Sequence, residues 1–304
     1  MSGTVGMPAS TSTVWHPRDA SEACRLKKRF GSGAVYTAGG TLLRTQWEAG
    51  QRPEPAHLID LSGIPEMRGI RTEGGELAIG ALTTLAVCRR DPYLQARFPL
   101  LAEAARAIAA PSIRNLATIG GNILSAVGDS LPVFLVYKAR LIWREGEAER
   151  AEDAEDWLER GGEETEASVR LLLQIRLPLD DSPEKAGRTF GFYGKIGRRE
   201  AFVPSLVTTA LTGRIAPDGQ LRGVRLAAGD GKTVPRRFPL TESRLEGAAA
   251  DDGAVRLLHR LLLEQYKPAP DPFATAEYRK LTAANLAASH LWQAIRENAG
   301  RGEG

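Results

Sequence analysis

Cysteine, histidine and long apolar runs are all scarce in this sequence, and each scarcity excludes something. Two cysteines in 304 residues, Cys24 and Cys88, form no C-x-x-C pair. They suit a reducing, cytoplasmic setting, and no disulfide framework is expected. Four histidines, His16, His57, His259 and His290, are scattered without ligand spacing, so no metal site built by this chain is expected. Nowhere do about eighteen apolar residues run together, which excludes a spanning helix. The start, Met1 to Val14, has neither the charged nor the apolar region of a signal peptide and reads as a loose tail. A net charge of +3 is too small and too dispersed to argue for nucleic acid. No G-x-G-x-x-G opens a helix, and Gly229-Asp230-Gly231-Lys232-Thr233 fails as a P-loop because Leu226 stands where that pattern needs glycine.

Glycine, by contrast, is plentiful at 32 residues. Two glycine segments share one design: Tyr36-Thr37-Ala38-Gly39-Gly40-Thr41 and Ala117-Thr118-Ile119-Gly120-Gly121-Asn122. In each, apolar residues run into Gly-Gly and the run ends on a hydroxyl or an amide. Glycine lets a backbone approach a ligand closely or take positive φ, and successive N–H groups can ring an anion. Two such segments brought together could hold both halves of a pyrophosphate. The competing reading is two ordinary tight turns.

The pattern of elements divides the chain. A helix is expected over Ala20–Phe30, a strand over Ala34–Ala38, and a helix over Thr41–Glu48 whose N-terminus faces the first segment. A strand at His57–Leu61 is broken by Ile64-Pro65, and a hairpin joins Met67–Thr72 to Glu76–Gly80. Pro99–Ala110 reads as a helix ended by Pro111. Leu131–Trp143 reads as buried helix or strand. Glu145–Glu166 carries eleven carboxylates against two arginines, the mark of a solvated excursion. Val169–Pro178 closes the first domain as a strand, and Asp180–Gly187 has linker composition. Beyond it, Leu206–Ile215 and Leu221–Ala228 flank a Pro-Asp-Gly turn, and helices follow at Val255–Gln265 and Thr275–Arg296. Tyr278, Leu281, Leu291 and Ile295 are the expected core contacts of the last helix. The class is α+β, with strands first and helices after in the second domain.

One further motif is Gly128-Asp129-Ser130-Leu131, the signature block of the GDSL esterases. Such enzymes need a late Asp-x-x-His to activate the serine, and no aspartate stands three residues before any histidine here.

Both glycine segments, with their spacing and flanks, resemble the FAD-binding subunit of the molybdenum hydroxylases, the family of the xanthine dehydrogenase flavin subunit and the carbon monoxide dehydrogenase medium subunit. The matching blocks are Ala38-Gly-Gly-Thr41, Leu58-Ile-Asp-Leu61 with Ile64-Pro65, Ile79-Gly-Ala-Leu-Thr-Thr84 and Ile113-Arg-Asn-Leu-Ala-Thr-Ile-Gly-Gly-Asn122. In the second half they are Tyr193-Gly-Lys195 with Arg198-Arg199, and Glu277-Tyr278-Arg279. The resemblance implies a tail at 1–14 and a two-lobed FAD-binding domain of the vanillyl-alcohol-oxidase type at 15–181, with subdomains about 15–70 and 71–181. A smaller C-terminal domain follows at 188–297. It implies that Tyr36, Thr37, Ala38, Gly39, Gly40, Thr41, Leu42 and Leu43, with Thr118, Ile119, Gly120, Gly121 and Asn122, hold the FAD pyrophosphate. Asp129, Leu172 and Lys195 would also approach the cofactor. Two departures stand out: Leu42 replaces a polar residue, and the path from Asn122 to Asp129 is about two residues shorter than in the xanthine dehydrogenase pattern.

The same resemblance implies partners: a large subunit with molybdopterin and a small one with iron–sulfur clusters. Electrons from them would reach NAD or another acceptor through FAD. The alternatives are a self-sufficient reductase similar to UDP-N-acetylenolpyruvoylglucosamine reductase, the GDSL-type esterase, and a cofactor-free scaffold protein.

Overall fold

The computed structural model describes residues 12–162, 168–179, 187–198 and 205–299. The expected tail up to residue 11, the acidic residues 163–166, the linker at 180–186 and Arg199 lie outside the described residues.

The first lobe contains β1 (Thr13–Trp15), α1 (Ala20–Phe30), β2 (Ala34–Thr37), α2 (Thr41–Glu48) and β3 (His57–Asp60). Its strands form a parallel sheet in the order β1-β3-β2. Thr13 and Val14, expected in the tail, pair with His57 and Leu58. The α1 helix starts where the Asp19 carboxylate accepts from the Glu22 amide at 2.7 Å, and its last turn carries Lys27, Lys28 and Arg29. Acidic and basic ends of this kind both complement the helix dipole.

The second lobe has a five-stranded antiparallel sheet in the order β4-β5-β8-β6-β7, from β4 (Ile70–Glu73), β5 (Glu76–Gly80), β6 (Arg140–Glu145), β7 (Ala148–Asp153) and β8 (Leu171–Pro178). Between β5 and β6 run α3 (Leu85–Arg90), α4 (Pro92–Arg97), α5 (Pro99–Ala107), α6 (Pro111–Arg114), α7 (Ile119–Leu124) and α8 (Leu131–Val136). The expected helix at 99–110 stops at Ala107, and Ala109 takes a left-handed φ of 50°. Pro111 then opens the next helix at its first turn, where a missing N–H costs nothing. The run Leu131–Trp143 is half helix and half strand. The acidic stretch is solvated as expected but not irregular: β7 is an edge strand, and α9 (Ala154–Glu159) buries Trp157 and Leu158. The strand that closes the domain in sequence, β8, is the middle one in space, which is why residues 171–175 form an unbroken buried run in which Gln174 is the one polar side chain.

The C-terminal part is a four-stranded antiparallel sheet, β12-β11-β10-β9, from β9 (Arg188–Gly197), β10 (Ser205–Ile215), β11 (Leu221–Gly229) and β12 (Arg236–Arg237). The helices α10 (Pro239–Leu245), α11 (Asp252–Gln265) and α12 (Ala276–Ala299) follow. The first seven residues of β10, Ser205–Leu211, are buried, because helices cover both faces of the sheet: α12 on one, α8 on the other. Tyr193, Ala210 and Ala227 join the core of the first two lobes, whereas Val207, Leu211 and Ile215 join that of the C-terminal helices. The expected core contacts Tyr278 and Leu281 are 48% and 45% exposed. Ala283, Ala284, Ala287 and Leu291 face the sheet instead, since small side chains let a long helix lie close to it. Leu291 is buried as expected, and Ile295 is partly buried.

Candidate functional site

The first glycine segment leads from β2 into α2. Gly40 is the helix N-cap with φ 66°, and no side chain caps the helix. The amides of Gly39, Gly40, Thr41, Leu42 and Leu43 therefore find no acceptor among the described residues; the first bond of the helix is the one from Arg44 to the Gly40 carbonyl at 2.9 Å. An uncapped N-terminus with open donors and the positive end of a helix dipole attracts an anion. Leu42 is exposed, and the rest of Tyr36 to Leu43 is half-buried. The Tyr36 hydroxyl points away, donating to the Val169 carbonyl at 3.1 Å, so this residue offers backbone only.

The second segment is built differently. Thr118 caps α7, its hydroxyl accepting from the Gly121 amide at 3.1 Å. The Ile119 amide donates to the Thr83 carbonyl and the Gly120 amide to the Ala81 carbonyl, both at 2.9 Å, and the Asn122 amide donates to the Thr118 carbonyl at 3.0 Å. Four of the five backbone donors that the anion-ring reading takes from Thr118 to Asn122 are thus bonded inside the chain, and the Thr118 amide alone has no acceptor among the described residues. Gly120 is required for a different reason: a Cβ there would stand 2.7 Å from both Cβ and O of Ala81. The block Ile79–Thr84 that carries part of the family resemblance is the plate against which this segment lies.

The two segments touch. A Cβ on Gly39 would stand 1.9 Å from the Leu116 carbonyl oxygen and 3.1 Å from the Ala117 nitrogen. The fold therefore joins stretches 81 positions apart, Gly39 to Gly120, into one continuous surface. On it the donors without a partner among the described residues are the amides of residues 39–43, the Thr118 amide and the Asn122 side-chain amide, and the Gly121 backbone is exposed. Two other expected contacts are sealed: Ile119 is fully buried and Leu172 is 1% exposed in the main core, opposite Trp143. Their side chains are packed in the core, and the Ile119 amide, the donor expected of that residue, is bonded to Thr83.

Asp129 and Lys195, expected separately at the cofactor, are found together. The Lys195 ammonium donates to one Asp129 carboxylate oxygen at 2.6 Å and to the Ala107 carbonyl at 3.0 Å. Their side chains are 8% and 13% exposed, for lysine and aspartate respectively, so Lys195 is not a surface charge. Ser205 donates to the other carboxylate oxygen at 2.6 Å, and the Tyr193 hydroxyl to the Asp129 carbonyl at 3.2 Å. Burial, then the Asp129 and Glu103 charges, push the Tyr193 phenol well above its ordinary range, which keeps it a donor. The cluster ties the end of α5, the segment before α8, and β9 and β10 together. Ser205 carried no signal of this role in the sequence, since its partner is 76 positions away.

The esterase reading fails here. Ser130 is fully buried and bonded to Asn122, not to a histidine. The rejected P-loop is a turn wrapped on buried Asp230, which accepts from the Lys232, Thr233 and Ala269 amides. Arg279 of the late block Glu277–Arg279 is also buried, donating to the Leu206 and Asp230 carbonyls, so its match reflects the fold of the second domain.

Fold and surface together define a two-lobed α+β cofactor-binding protein with an appended antiparallel-sheet domain. Residues 9–180 match the family described as the FAD binding domain in molybdopterin dehydrogenase, and residues 192–294 the CO dehydrogenase flavoprotein C-terminal domain. The chain belongs to this family of FAD-binding molybdopterin-dehydrogenase subunits. It is 28% identical over 274 residues to the carbon monoxide dehydrogenase medium chain of Afipia carboxidovorans, covering 86% of this chain and 89% of that one. To the xanthine dehydrogenase FAD-binding subunit of Escherichia coli O157:H7 it is 27% identical over 249 residues, covering 81% and 83%. Among solved structures, a chain of Hydrogenophaga pseudoflava carbon monoxide dehydrogenase superposes with a TM-score of 0.84 at 28% identity, covering 94% of this chain and 98% of that one. No helix among the described residues is long and apolar enough to cross a membrane.

Proposed function

We propose that this chain is the electron-transferring flavin subunit of a molybdenum-containing hydroxylase or dehydrogenase, with FAD lying along the joined glycine segments. The observation that carries the reading is the row of open amides from Gly39 to Leu43 at the uncapped start of α2. A pyrophosphate is the part of FAD that such donors fit, by charge and by hydrogen bonding. Thr37, Ala38 and Thr41 line the same stretch. Gly121 admits the ligand to the second segment, and Asn122 adds its side-chain amide, while Thr118 holds the turn from behind. Asp129 and Lys195 neutralise each other and brace the wall between the two domains. Bound FAD supplies a carrier that accepts electrons from one partner and passes them to another. The chain's own part is to bind and orient it.

The similarity to medium chains supports a large partner with molybdopterin and a small one with iron–sulfur clusters, with NAD or another acceptor receiving the electrons. An absorption spectrum of the purified full chain, native and after heat release of the chromophore, tests the cofactor. Flavin bands near one per chain are expected; their absence after reconstitution with FAD would sink the reading. Gentle co-purification with tagged chain should recover both partner subunits, and recovery of neither would remove the subunit assignment.

A further inference from the structure

We infer that Ser130 is a positioning residue for the cofactor surface: it turns the Asn122 side chain so that the amide nitrogen, with its two N–H donors, faces the ligand. The inference rests on the FAD reading above. Asn122 Oδ1 accepts from the Ser130 main-chain amide at 3.3 Å and from the Ser130 hydroxyl at 2.5 Å. A main-chain N–H can only donate, so the Asn122 atom that meets it must be the carbonyl oxygen, and the orientation of the amide follows from chemistry. The nitrogen then lies on the opposite side, where it has no acceptor among the described residues and is not a sealed buried group.

The arrangement matters because of what the second segment lacks. Four of its five backbone donors are bonded inside the chain, so beside the Thr118 amide the Asn122 side-chain amide, with two N–H groups, is the donor left there for an anion. An asparagine free to rotate would present its oxygen to a phosphate part of the time, and two acceptors repel. Ser130 is fully buried, so water does not compete for the bond that prevents this. Gly128 completes the device: a Cβ there would stand 2.2 Å from the Asn122 carbonyl oxygen and 2.5 Å from Oδ1. The Gly-Asp-Ser triplet thus has three tasks unrelated to ester hydrolysis. Gly128 gives clearance, Asp129 receives Lys195 and Ser205, and Ser130 orients Asn122.

The test is a double-mutant cycle on FAD affinity, measured by quenching of flavin fluorescence on the full chain freed of chromophore, with the thermal midpoint of each apo variant recorded alongside. Ser130→Ala is expected to weaken FAD about tenfold in the wild-type background, near 1.4 kcal/mol, and less than about twofold in an Asn122→Ala background. Asn122→Asp supplies a second route that does not alter the buried serine. A carboxylate still accepts both bonds from Ser130 but has no N–H to give, so FAD should weaken at least about tenfold with the apo midpoint within about 2 °C of wild type. Wild-type chain that binds no FAD would overturn the FAD reading itself, and the inference with it. Wild-type chain that binds FAD, with Ser130→Ala equally harmful in both backgrounds or with Asn122→Asp binding like wild type, would overturn the positioning role alone.

Discussion

The two glycine segments look alike in sequence and are used in opposite ways. The first, at Gly39-Gly40, ends in a helix with no cap, and its amides stay open. The second, at Gly120-Gly121, ends in a helix capped by Thr118, and its amides from Ile119 to Asn122 are bonded to Ala81, Thr83 and Thr118. Within each pair the two glycines also differ. Gly39 and Gly120 are pressed against backbone, Leu116 and Ala81 respectively, where no side chain fits. Gly40 and Gly121 meet no backbone: Gly40 takes a left-handed turn with room beside it, and Gly121, 3.1 Å from the Thr118 hydroxyl at an added Cβ, has an exposed backbone. Each Gly-Gly pair therefore combines one glycine pressed against backbone with one that is not.

The largest effects should come from the packed pair. Gly39→Ala and Gly120→Ala each force backbone apart, at a cost of about 3 kcal/mol or more, and thermal unfolding should show midpoints lower by about 10 °C. An unchanged midpoint for Gly39→Ala would mean that the two segments do not abut. Next comes Gly121→Val, whose Cβ would stand 3.1 Å from the Thr118 hydroxyl, with nothing else within 4 Å. FAD affinity should fall about thirtyfold, near 2 kcal/mol, with the midpoint almost unmoved. Retention of full flavin occupancy would remove the second segment from the site. Gly40→Ala ranks below these, because the nearest atom to its Cβ is 3.7 Å away and only the left-handed backbone is strained, for about 1–2 kcal/mol.

The smallest effect serves as a control on a residue outside both segments. His290 of α12 stacks on Phe192 with ring centroids 5.0 Å apart, and burial lowers its pKa below the ordinary value of 6.5. The unfolded chain then binds the proton first, so its stabilising contribution is full above the ordinary value and is lost as pH falls from there towards the folded value. The midpoint should drop modestly between about pH 7 and pH 5, and His290→Phe should flatten that slope without altering FAD affinity at pH 7. A slope that survives the substitution would place the titrating group elsewhere.

Much of this was legible where neighbours in sequence decide the outcome. The β2-Gly-Gly-α2 unit and the Pro-Asp-Gly hairpin stand as read, because glycine, proline and apolar spacing act locally. What was hidden depends on distant partners. That the Ile119 and Gly120 amides are already bonded follows from the carbonyls of Thr83 and Ala81, some forty positions earlier. The pairing of Asp129 with Lys195 spans 66 positions. Tyr278 and Leu281 misled because α12 carries apolar residues on two faces, and its alanines proved to be the ones the sheet needed. Ser130 did carry a signal, within a motif borrowed from another chemistry.

Hydrogen exchange of the backbone amides, with and without saturating FAD, tests the contrast between the segments most directly. The amides of residues 39–43 should exchange fast in the apo chain and become protected when FAD is added, while those of Ile119 and Gly120 should be protected in both states. Residues 39–43 left equally fast at saturation would contradict the account, because the open donors of the first segment would then hold no cofactor.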